Sequence, residues 1–552
     1  MRTRAPASTR VGPLVVFVVT ALVLLVDLGG QNVWTKDEAR DGLVARDIVE
    51  RGHWLIPHLG GRVYAYKPPF FHWLVALSSP HGVTAWSLRF PSVMAAAGTA
   101  ALTCAIGTRL ATPAVGLVAA AMLASSWIFV GWARTGRLEM VLVFWMTLAF
   151  WSAARWLGQG ERRHALVFGL ALGGACLTKG PVGLIPLLAI VIAVTLFGRW
   201  SKRALVDLGL AVSVLAGFHA VWLGLALSQH ADLGWYFDAV RAVFDNELSE
   251  RRHEGLLYMP EAIGVGFLPW TFLVPGAALA LGHRWQTSWR SLLIPVLWAG
   301  LVLVIFGVFL SPRSVHFLPC YPALALLVAW AWSTGSPSER WWMSGPFAVG
   351  VVAIVFLGLA IAVSPLTIGE YPRMTDLSRG FGFGVAVIAG VVAPSAFILL
   401  RRQRANEAAV MVSIGTLLIM LVVQITAYTP GVNRAFPTRE VAARFAPAVP
   451  QGASVAYLDR RFTTGLMFYL PSLPVEVPDM EALPGLVKDE RVALLLRQEE
   501  LRVIRRGDVC LPTRTLVAEF FDGTLYVLAD VNGAPAEPSR CSRRERIDTV
   551  IW

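Results

Sequence analysis

The chain has 552 residues, of which 56% are hydrophobic and only 15% are charged, and its formal net charge is +12. A soluble protein this apolar could not cover its surface with polar groups, so the composition excludes a soluble globular protein and indicates a polytopic membrane protein. The positive charge does not by itself indicate nucleic-acid binding, because membrane proteins collect Lys and Arg in their cytoplasmic loops. We find no soluble run of interleaved basic and aromatic residues, so no nucleic-acid partner is expected.

The first apolar run, Val11–Leu28, follows three arginines within ten residues. It resembles a signal peptide, but it is long and no small-residue cleavage motif follows it. We therefore interpret it as a retained helix with its N-terminus inside the cell. The polar stretch Trp34–Pro80 is then outside.

Twelve further apolar runs are long enough to predict membrane helices, which gives about thirteen in a mostly α-helical protein. Arginines and lysines concentrate in the loops that this order places inside, in agreement with the positive-inside rule. Residues 29–87 and 228–262 form the two long outer loops of a membrane domain that covers residues 1–429. The twelve runs are Leu88–Ala111, Pro113–Val130, Glu139–Leu157, Leu166–Thr178, Val182–Phe197, Leu205–Leu227, Ile263–Leu281, Leu292–Leu310, Phe317–Trp332, Phe347–Val363, Phe383–Leu400 and Ala408–Tyr428.

Residues 430–552 are more polar and alternate strand-like with helix-like segments, which predicts a small α/β domain. An odd number of spans and an inside N-terminus place this domain on the outer face. Cys510 and Cys541 lie here, where an oxidising compartment would permit a disulfide, and the spacing leaves their pairing open. The predicted elements are strands at Ala453–Leu458, Val475–Val477, Arg491–Leu496 and within Thr515–Leu528, and a helix at Phe462–Leu470.

The first outer loop opens with a capping box, with Thr35 as N-cap and Glu38 three residues later. An apolar stripe at Ala39, Leu43, Val44 and Ile48 then predicts a short amphipathic helix on the membrane surface. The acids Asp37 and Glu38 have two interpretations. They either only stabilise the helix N-terminus or stand at the mouth of an intramembrane cavity, and their position directly after a membrane helix favours the second.

The same loop ends in Lys67-Pro68-Pro69, where the prolines fix the backbone and present the ammonium. Further basic residues also fall on the predicted outer side. Singly, each is interpreted as a side chain that reaches the lipid headgroups; together with Asp37, they indicate a site for a phosphate-bearing ligand. Besides Lys67 they are Arg134, Arg137, Lys179, Arg251, Arg252 and Arg313.

Several of these motifs, in this order, resemble those of the bacterial aminoarabinose transferases and the wider protein O-mannosyltransferase-like family. The acidic pair after the first helix and the Lys-Pro motif are the first two. RTGRLEMVL at Arg134–Leu142 resembles the second acidic motif, with Glu139 where Asp is more usual, and Leu177–Pro181 matches LTKGP. Leu268-Pro269-Trp270 and Phe317-Leu318-Pro319 match later proline motifs. The resemblance covers the whole membrane region.

The resemblance implies a GT-C fold and inverting transfer of a sugar from a polyprenyl-phosphate donor at the periplasmic face of the bacterial inner membrane. It implies that Asp37 is the main catalytic carboxylate, with Glu38 and Glu139 as further acids. Lys67 and Arg251 would hold the donor phosphate, and we add Lys179, Arg134, Arg137 and Arg313 to that set. We expect the substrate cavity to be lined by Tyr64, Tyr66, His53, His316 and Tyr321.

Relatives often carry a metal-binding acid just before the Lys-Pro lysine, where this chain has Tyr66. A divalent metal ion therefore stays open as a cofactor, and no other cofactor is expected. The acceptor is also open, between a lipid, such as a lipid A-like molecule, and a protein hydroxyl. A flippase or other transporter would share the helices and the cationic cavity, but it would more often place charges at the bilayer midplane. A non-catalytic envelope assembly protein would not need the charges of separate loops to converge.

Overall fold

The computed structural model describes residues 8–64, 67–229, 258–309, 313–336, 338–340, 342–348, 375–449, 454–457, 465–476, 492–497, 515–519 and 525–530, with a few isolated positions. The chain divides into two compact units. The membrane unit comprises Met1–Leu28, Tyr66–Phe71 and Arg89–Ala427. The loop–tail unit comprises Gly29–Ala65, His72–Leu88 and Tyr428–Trp552. The sequence separates the first outer loop from the tail, whereas the structure packs them into one unit.

Long apolar helices make up most of the membrane region. Where the chain is described, seven helical segments are long and apolar enough to cross a membrane, or eight if one pair bent by 67° counts as a single broken span. The predicted total of thirteen stays a prediction. The α-helices of this described part are α1 Ser8–Leu25, α2 Lys36–Arg51, α3 Phe70–Leu77, α4 Ala85–Leu110, α5 Pro113–Ala124, α6 Trp127–Ala133, α7 Glu139–Gln159, α8 Arg162–Lys179, α9 Ile185–Leu196, α10 Lys202–Gln229, α11 Val274–Val304, α12 Tyr321–Thr334, α13 Thr375–Arg401 and α14 Ala405–Val423. Of these, α2, most of α3 and the first turn of α4 belong to the loop–tail unit.

One predicted loop is instead helical. The sequence separates two spans by a polar segment around Arg284 and Arg290, but α11, which is 31 residues long in all, continues through this segment. The prediction of a loop here was wrong, because the segment holds no proline and only one glycine near its start, and polarity alone does not interrupt a helix. The predicted span at Phe347–Val363 lies mostly outside the described residues.

Small residues allow the membrane helices to approach closely. A Cβ added at Gly116 of α5 would lie 2.3 Å from the carbonyl oxygen of Cys104 in α4. A second close approach joins Gly169 of α8 to the backbone of Ala211 in α10, again at 2.3 Å. This is the packing expected in lipid, where no hydrophobic effect draws helices together and van der Waals contact must do so.

The loop–tail unit contains a five-stranded mixed sheet in the order β4-β3-β5-β7-β6. β3 pairs in parallel with β4 and β5, and β7 is antiparallel to both β5 and β6. All the predicted tail elements are confirmed, although the last predicted segment is two strands. The remaining α-helices and strands of the described residues are α15 Thr429–Ala435, α16 Thr438–Phe445 and α17 Gly465–Tyr469, and β1 His58–Leu59, β2 Arg62–Val63, β3 Ser454–Tyr457, β4 Val475–Glu476, β5 Val492–Arg497, β6 Thr515–Glu519 and β7 Leu525–Asp530.

The helix α2 supplies the core of this unit. Its stripe residues Leu43 and Val44 are buried in one cluster with Phe445, Tyr457 and Met467. The prediction that this stripe rests on the membrane surface was therefore wrong. The amphipathic pattern shows which face is buried, but the face is covered by the tail instead of by lipid.

Candidate active site

The acidic turn of α2 begins as the sequence predicts. The Thr35 hydroxyl accepts a hydrogen bond from the backbone N–H of Glu38 at 3.3 Å, so Thr35 is the N-cap. The carboxylate of Asp37 accepts a hydrogen bond from Arg40 at 2.6 Å, and both side chains are about one fifth exposed. Asp37 is thus a partly accessible carboxylate whose orientation is fixed by a cation on its own helix.

Arg40 is surrounded by acids and stays charged. Burial disfavours its guanidinium, but the facing groups, Asp41 and Asp37 among them, outweigh burial and raise the pKa of Arg40 above its usual value. Asp41 is fully buried and its carboxylate lies 3.3 Å from Nε2 of His72, which is equally buried. Glu38 is also buried, with 1% of its surface exposed. Of the two adjacent acids, Asp37 is therefore the one that solvent or a ligand can reach.

The membrane unit holds a second charged cluster, formed by Arg137, Glu139 and Lys179. Oε1 of Glu139 lies 3.1 Å from Nη2 of Arg137 and 3.5 Å from Nζ of Lys179. The three side chains are between 4% and 15% exposed. One carboxylate facing two cations gives the cluster a net charge of +1, and we call it the Glu139 cluster.

The local sequence explains how this cluster forms. Glu139 is the first residue of α7 and Lys179 the last of α8, so two neighbouring helix ends meet there. Gly180 ends α8 with a φ of 70°, a backbone conformation that residues other than glycine disfavour. The backbone carbonyl of Arg137 accepts a hydrogen bond from Ser92, and its guanidinium lies 5.2 Å from the ring of Trp132. The predicted LTKGP and second acidic motifs are therefore brought together.

His316 lies beside the Glu139 cluster. It lines the same small recess as Glu139 and Lys179, and its ring packs against Phe306 at 5.3 Å. Its Nδ1 lies 3.4 Å from the backbone nitrogen of Arg313, whose side chain is exposed. His316 therefore lies next to the Glu139 cluster, and its predicted place in the substrate cavity stays a prediction.

Two residues predicted to bind substrate have other partners. Arg134 donates hydrogen bonds to the carbonyls of Leu24, Val26 and Asp27, at 2.7, 2.7 and 3.2 Å. It therefore satisfies the backbone at the end of α1, which favours a structural role over phosphate binding. Tyr321 is fully buried and its hydroxyl donates to the carbonyl of Ala262, as expected of a packing residue.

The remaining predicted residues are placed as follows. Tyr64 is 3% exposed and belongs to the core of the loop–tail unit, so it does not line an open cavity. Lys67 is half-buried. Arg251, Arg252 and Tyr66 lie outside the described residues, as do Cys510 and Cys541. The predicted proximity of Asp37 and Lys67 stays a prediction, because these residues belong to different units.

Sequence reasoning missed the role of Arg40 and the Asp41–His72 pair. The signal for Arg40 was present, since an Arg three residues after an Asp on a helix faces it. The Asp41–His72 pair has no such signal, because 31 residues separate its members. His53 lies 2.5 Å from Asp47, and one donor atom each from Asp47, His53 and His58 lie within 4.8 Å of one another. These three residues could hold a metal ion.

Comparison with known proteins identifies a matching family and several relatives. Residues 66–223 match the family described as dolichyl-phosphate-mannose-protein mannosyltransferase. The undecaprenyl phosphate-α-4-amino-4-deoxy-L-arabinose arabinosyl transferase of Pectobacterium carotovorum is 30% identical over 394 residues, which cover 68% of each chain. The enzyme of that name from Pseudomonas aeruginosa is 30% identical over 323 residues, 56% of this chain and 57% of the relative.

The fold also matches solved structures. The crystal structure of ArnT from Cupriavidus metallidurans bound to undecaprenyl phosphate has a TM-score of 0.78 at 20% identity, and the match covers 94% of this chain and 98% of that one. The same protein in the apo state gives a TM-score of 0.73 at 22% identity, with the same coverage. At these identities the likeness establishes the fold.

Proposed function

Since the chain belongs to the family of undecaprenyl phosphate-α-4-amino-4-deoxy-L-arabinose arabinosyl transferases, we propose that it transfers this aminosugar from undecaprenyl phosphate to a lipid acceptor. It is a multi-pass membrane glycosyltransferase that uses a polyprenyl-phosphate-linked sugar. We further propose that it works in the bacterial inner membrane, with the reaction and residues 430–552 on the periplasmic face.

The observation that carries this proposal is the Glu139 cluster. Two cations and one carboxylate are held almost out of water at the meeting point of two helix ends. A net positive, poorly solvated site suits a phosphate, because fixed charges act more strongly where water is excluded. We assign Arg137 and Lys179 to the donor phosphate, together with Lys67.

The reaction breaks the bond between the anomeric carbon and the phosphate oxygen of the donor. The electron pair leaves with undecaprenyl phosphate, and fixed cations stabilise the negative charge that develops there. An acceptor oxygen forms the new bond to the anomeric carbon from the opposite face, which inverts the configuration. Glu139 keeps Arg137 and Lys179 oriented while they do this.

The role of Asp37 depends on the acceptor. A lipid phosphate is already a nucleophile, so Asp37 would orient groups and stabilise positive charge on the sugar ring. An acceptor hydroxyl would need a base, and the partly exposed carboxylate of Asp37 can take its proton. Arg40 acts as a positioning residue in either case, since it fixes that carboxylate.

Transfer by the purified protein tests the proposal. We expect radiolabelled aminoarabinose to move from undecaprenyl phosphate to lipid A in detergent, and transfer to fail in Lys179→Met. Arg290→Gln is the matched control, because it removes a solvent-exposed cation in the middle of α11. Transfer to a peptide hydroxyl with lipid A left unmodified would replace the lipid acceptor with a protein. Donor that stays intact with every acceptor would contradict the enzyme assignment.

Orientation has a separate test. Protease added to spheroplasts should cleave the tail beyond residue 430, whereas inverted vesicles should protect it. The opposite result would place the tail in the cytoplasm and show that the number of spans is even.

A further inference from the structure

We propose that Asp47, His53 and His58 form a binding site for a zinc-like divalent cation at the C-terminal end of α2. This site is additional to the transferase chemistry proposed above. One ligand atom from each residue lies within 4.8 Å of the other two. Two imidazoles and one carboxylate are the donor set of many three-ligand zinc sites, in which water fills the fourth position.

The distances suit such a cation after a small adjustment. Ligand atoms about 2.0–2.1 Å from a tetrahedral zinc lie roughly 3.4 Å from one another. Nδ1 of His53 and Oδ1 of Asp47 are now at a hydrogen-bond distance of 2.5 Å, so this pair would widen by about 0.9 Å. The other ligand pairs lie within 4.8 Å and would close by at most about 1.4 Å, a shift that side-chain rotation can supply.

The three ligands are delivered by well-defined backbone. Asp47 lies in the last two turns of α2 and only 2% of its side chain is exposed. Gly52 ends the helix in the left-handed region with a φ of 76°, and its N–H donates to the carbonyl of Ile48. The chain reverses at this residue, so His53 returns to face Asp47. His58 comes from β1, in the short hairpin with β2.

His58 also has the partner expected of a metal ligand. Its Nδ1 lies 2.7 Å from the carbonyl oxygen of Ile56. A metal-binding histidine typically donates its other ring N–H to such an acceptor, which fixes the tautomer and the ring orientation. We therefore assign Nε2 of His58 as the metal-binding nitrogen.

A simple ion pair explains only part of this arrangement. Asp47 lies 3.3 Å from Arg51 and could also pair with a protonated His53. That pairing gives no reason for the ring of His58 to lie 4.0 Å from the ring of His53, where two protonated imidazoles would repel. A divalent cation binds both rings in their neutral form and replaces the hydrogen bond between Asp47 and His53.

The donor set selects the kind of cation. Magnesium and calcium prefer oxygen ligands, whereas imidazole suits zinc and other late transition metals. Four tenths of the His53 side chain is exposed, so a bound ion would have access to water. The ion would connect His53 in the turn and His58 in the hairpin to Asp47 near the end of α2. It would thereby stabilise the helix that carries Asp37.

Zinc binding by the full-length protein in detergent is the test, with the protein purified without a histidine tag and stripped by a chelator. Calorimetry should show one zinc ion per chain with micromolar or tighter affinity, and millimolar magnesium should not compete. His58→Gln and Asp47→Asn should each weaken zinc binding by more than about tenfold. Added zinc should raise the unfolding temperature of the wild-type chain but not of His58→Gln.

His81→Gln is the matched control, since His81 is an exposed histidine of the same unit outside the cluster. It should bind zinc as the wild type does. If Asp47→Asn fails to fold, the result for His58→Gln decides the test. His58 is only partly buried, so its replacement should leave the protein folded. Equal zinc binding by the wild type and His58→Gln, or no binding by either, would overturn the proposal.

Discussion

Replacing Asp37 with Asn should abolish most of the transferase activity while leaving the protein folded. The substitution keeps the size of the side chain and removes its charge. A positioned carboxylate that acts as a base is typically worth about 10²–10⁴-fold in rate. We expect a fall of that order in turnover per folded molecule if the acceptor is a hydroxyl, and a comparable fall if Asp37 stabilises positive charge on the sugar.

The structure limits how much of this loss could come from instability. Asp37 forms an ion pair with Arg40 and lies in the first turn of α2, where a negative charge stabilises the helix N-terminus. A pair three residues apart on a helix contributes about 0.2–0.5 kcal/mol, and the helix dipole about 0.3–1 kcal/mol. A total loss of about 1.5 kcal/mol would leave about 99% of a protein of ordinary stability folded. The loss of these two interactions therefore would not by itself produce a hundredfold loss of activity.

The assay is transfer of labelled aminoarabinose in membranes, normalised to folded protein by fluorescence-detected gel filtration. Arg40→Gln is the control, because it breaks the same ion pair and keeps the carboxylate. It should lose much less activity than Asp37→Asn. Full activity in Asp37→Asn would refute the catalytic role. Equal losses in both variants would show that the ion pair matters instead of the carboxylate.

Four further outcomes are expected. Lys67→Ala should raise KM for the donor more than it lowers kcat, because the proposed contact of Lys67 with the donor phosphate exists both before and during the reaction. Arg62→Ala removes an exposed cation of the same loop and should change neither constant. Glu139→Gln should lower both activity and stability, the latter by about 3–5 kcal/mol, since it removes the carboxylate that Arg137 and Lys179 both face; unchanged thermal unfolding would contradict this. Glu339→Gln should lower the unfolding temperature at pH 7 but not in acid. The largest cause is the backbone N–H of Ser336, which holds the pKa of Glu339 below its usual value of 4.5. The ionised carboxylate therefore stabilises the fold fully above pH 4.5, and this stabilisation is lost as the pH falls through the lowered pKa. Gly42→Ala should destabilise the loop–tail unit by about 1–3 kcal/mol, because the new Cβ would lie 2.6 Å from a buried phenylalanine ring, and urea unfolding would measure it.

The sequence predicts the secondary-structure elements of this protein better than it predicts which elements pack against each other. Continuous apolar runs identify most membrane helices, and alternating residues identify the strands of the tail, because both signals are local. The stripe on α2 is also local, but its partners Phe445 and Met467 are some 400 residues away in the chain. A single sequence therefore shows a helix with one buried face and cannot show that the tail covers it.

The candidate site follows the same division. The sequence indicated Glu139 and Lys179 as candidate site residues, but their contact joins the ends of two helices and cannot be predicted from residue spacing. Arg134 lies in the same motif as Glu139, yet its guanidinium is directed to the carbonyls at the end of α1. Charge and location were visible in the sequence for both residues, whereas the direction of each side chain depends on packing.

The union of the first outer loop with the tail has a consequence for biosynthesis. Asn32 hydrogen-bonds to Asn433, 401 residues later, and Arg46 to the carbonyl of Leu470. At an elongation rate of about 5–20 residues per second, roughly 20–80 s pass between the synthesis of α2 and that of its partners. During this time the residues that bury Leu43 and Val44 have not yet been made. The apolar face of the nascent helix must therefore be shielded from water by chaperones or lipid. A ribosome that stops before residue 470 leaves the segment bearing Asp37 unfinished, although every residue of that segment has been made.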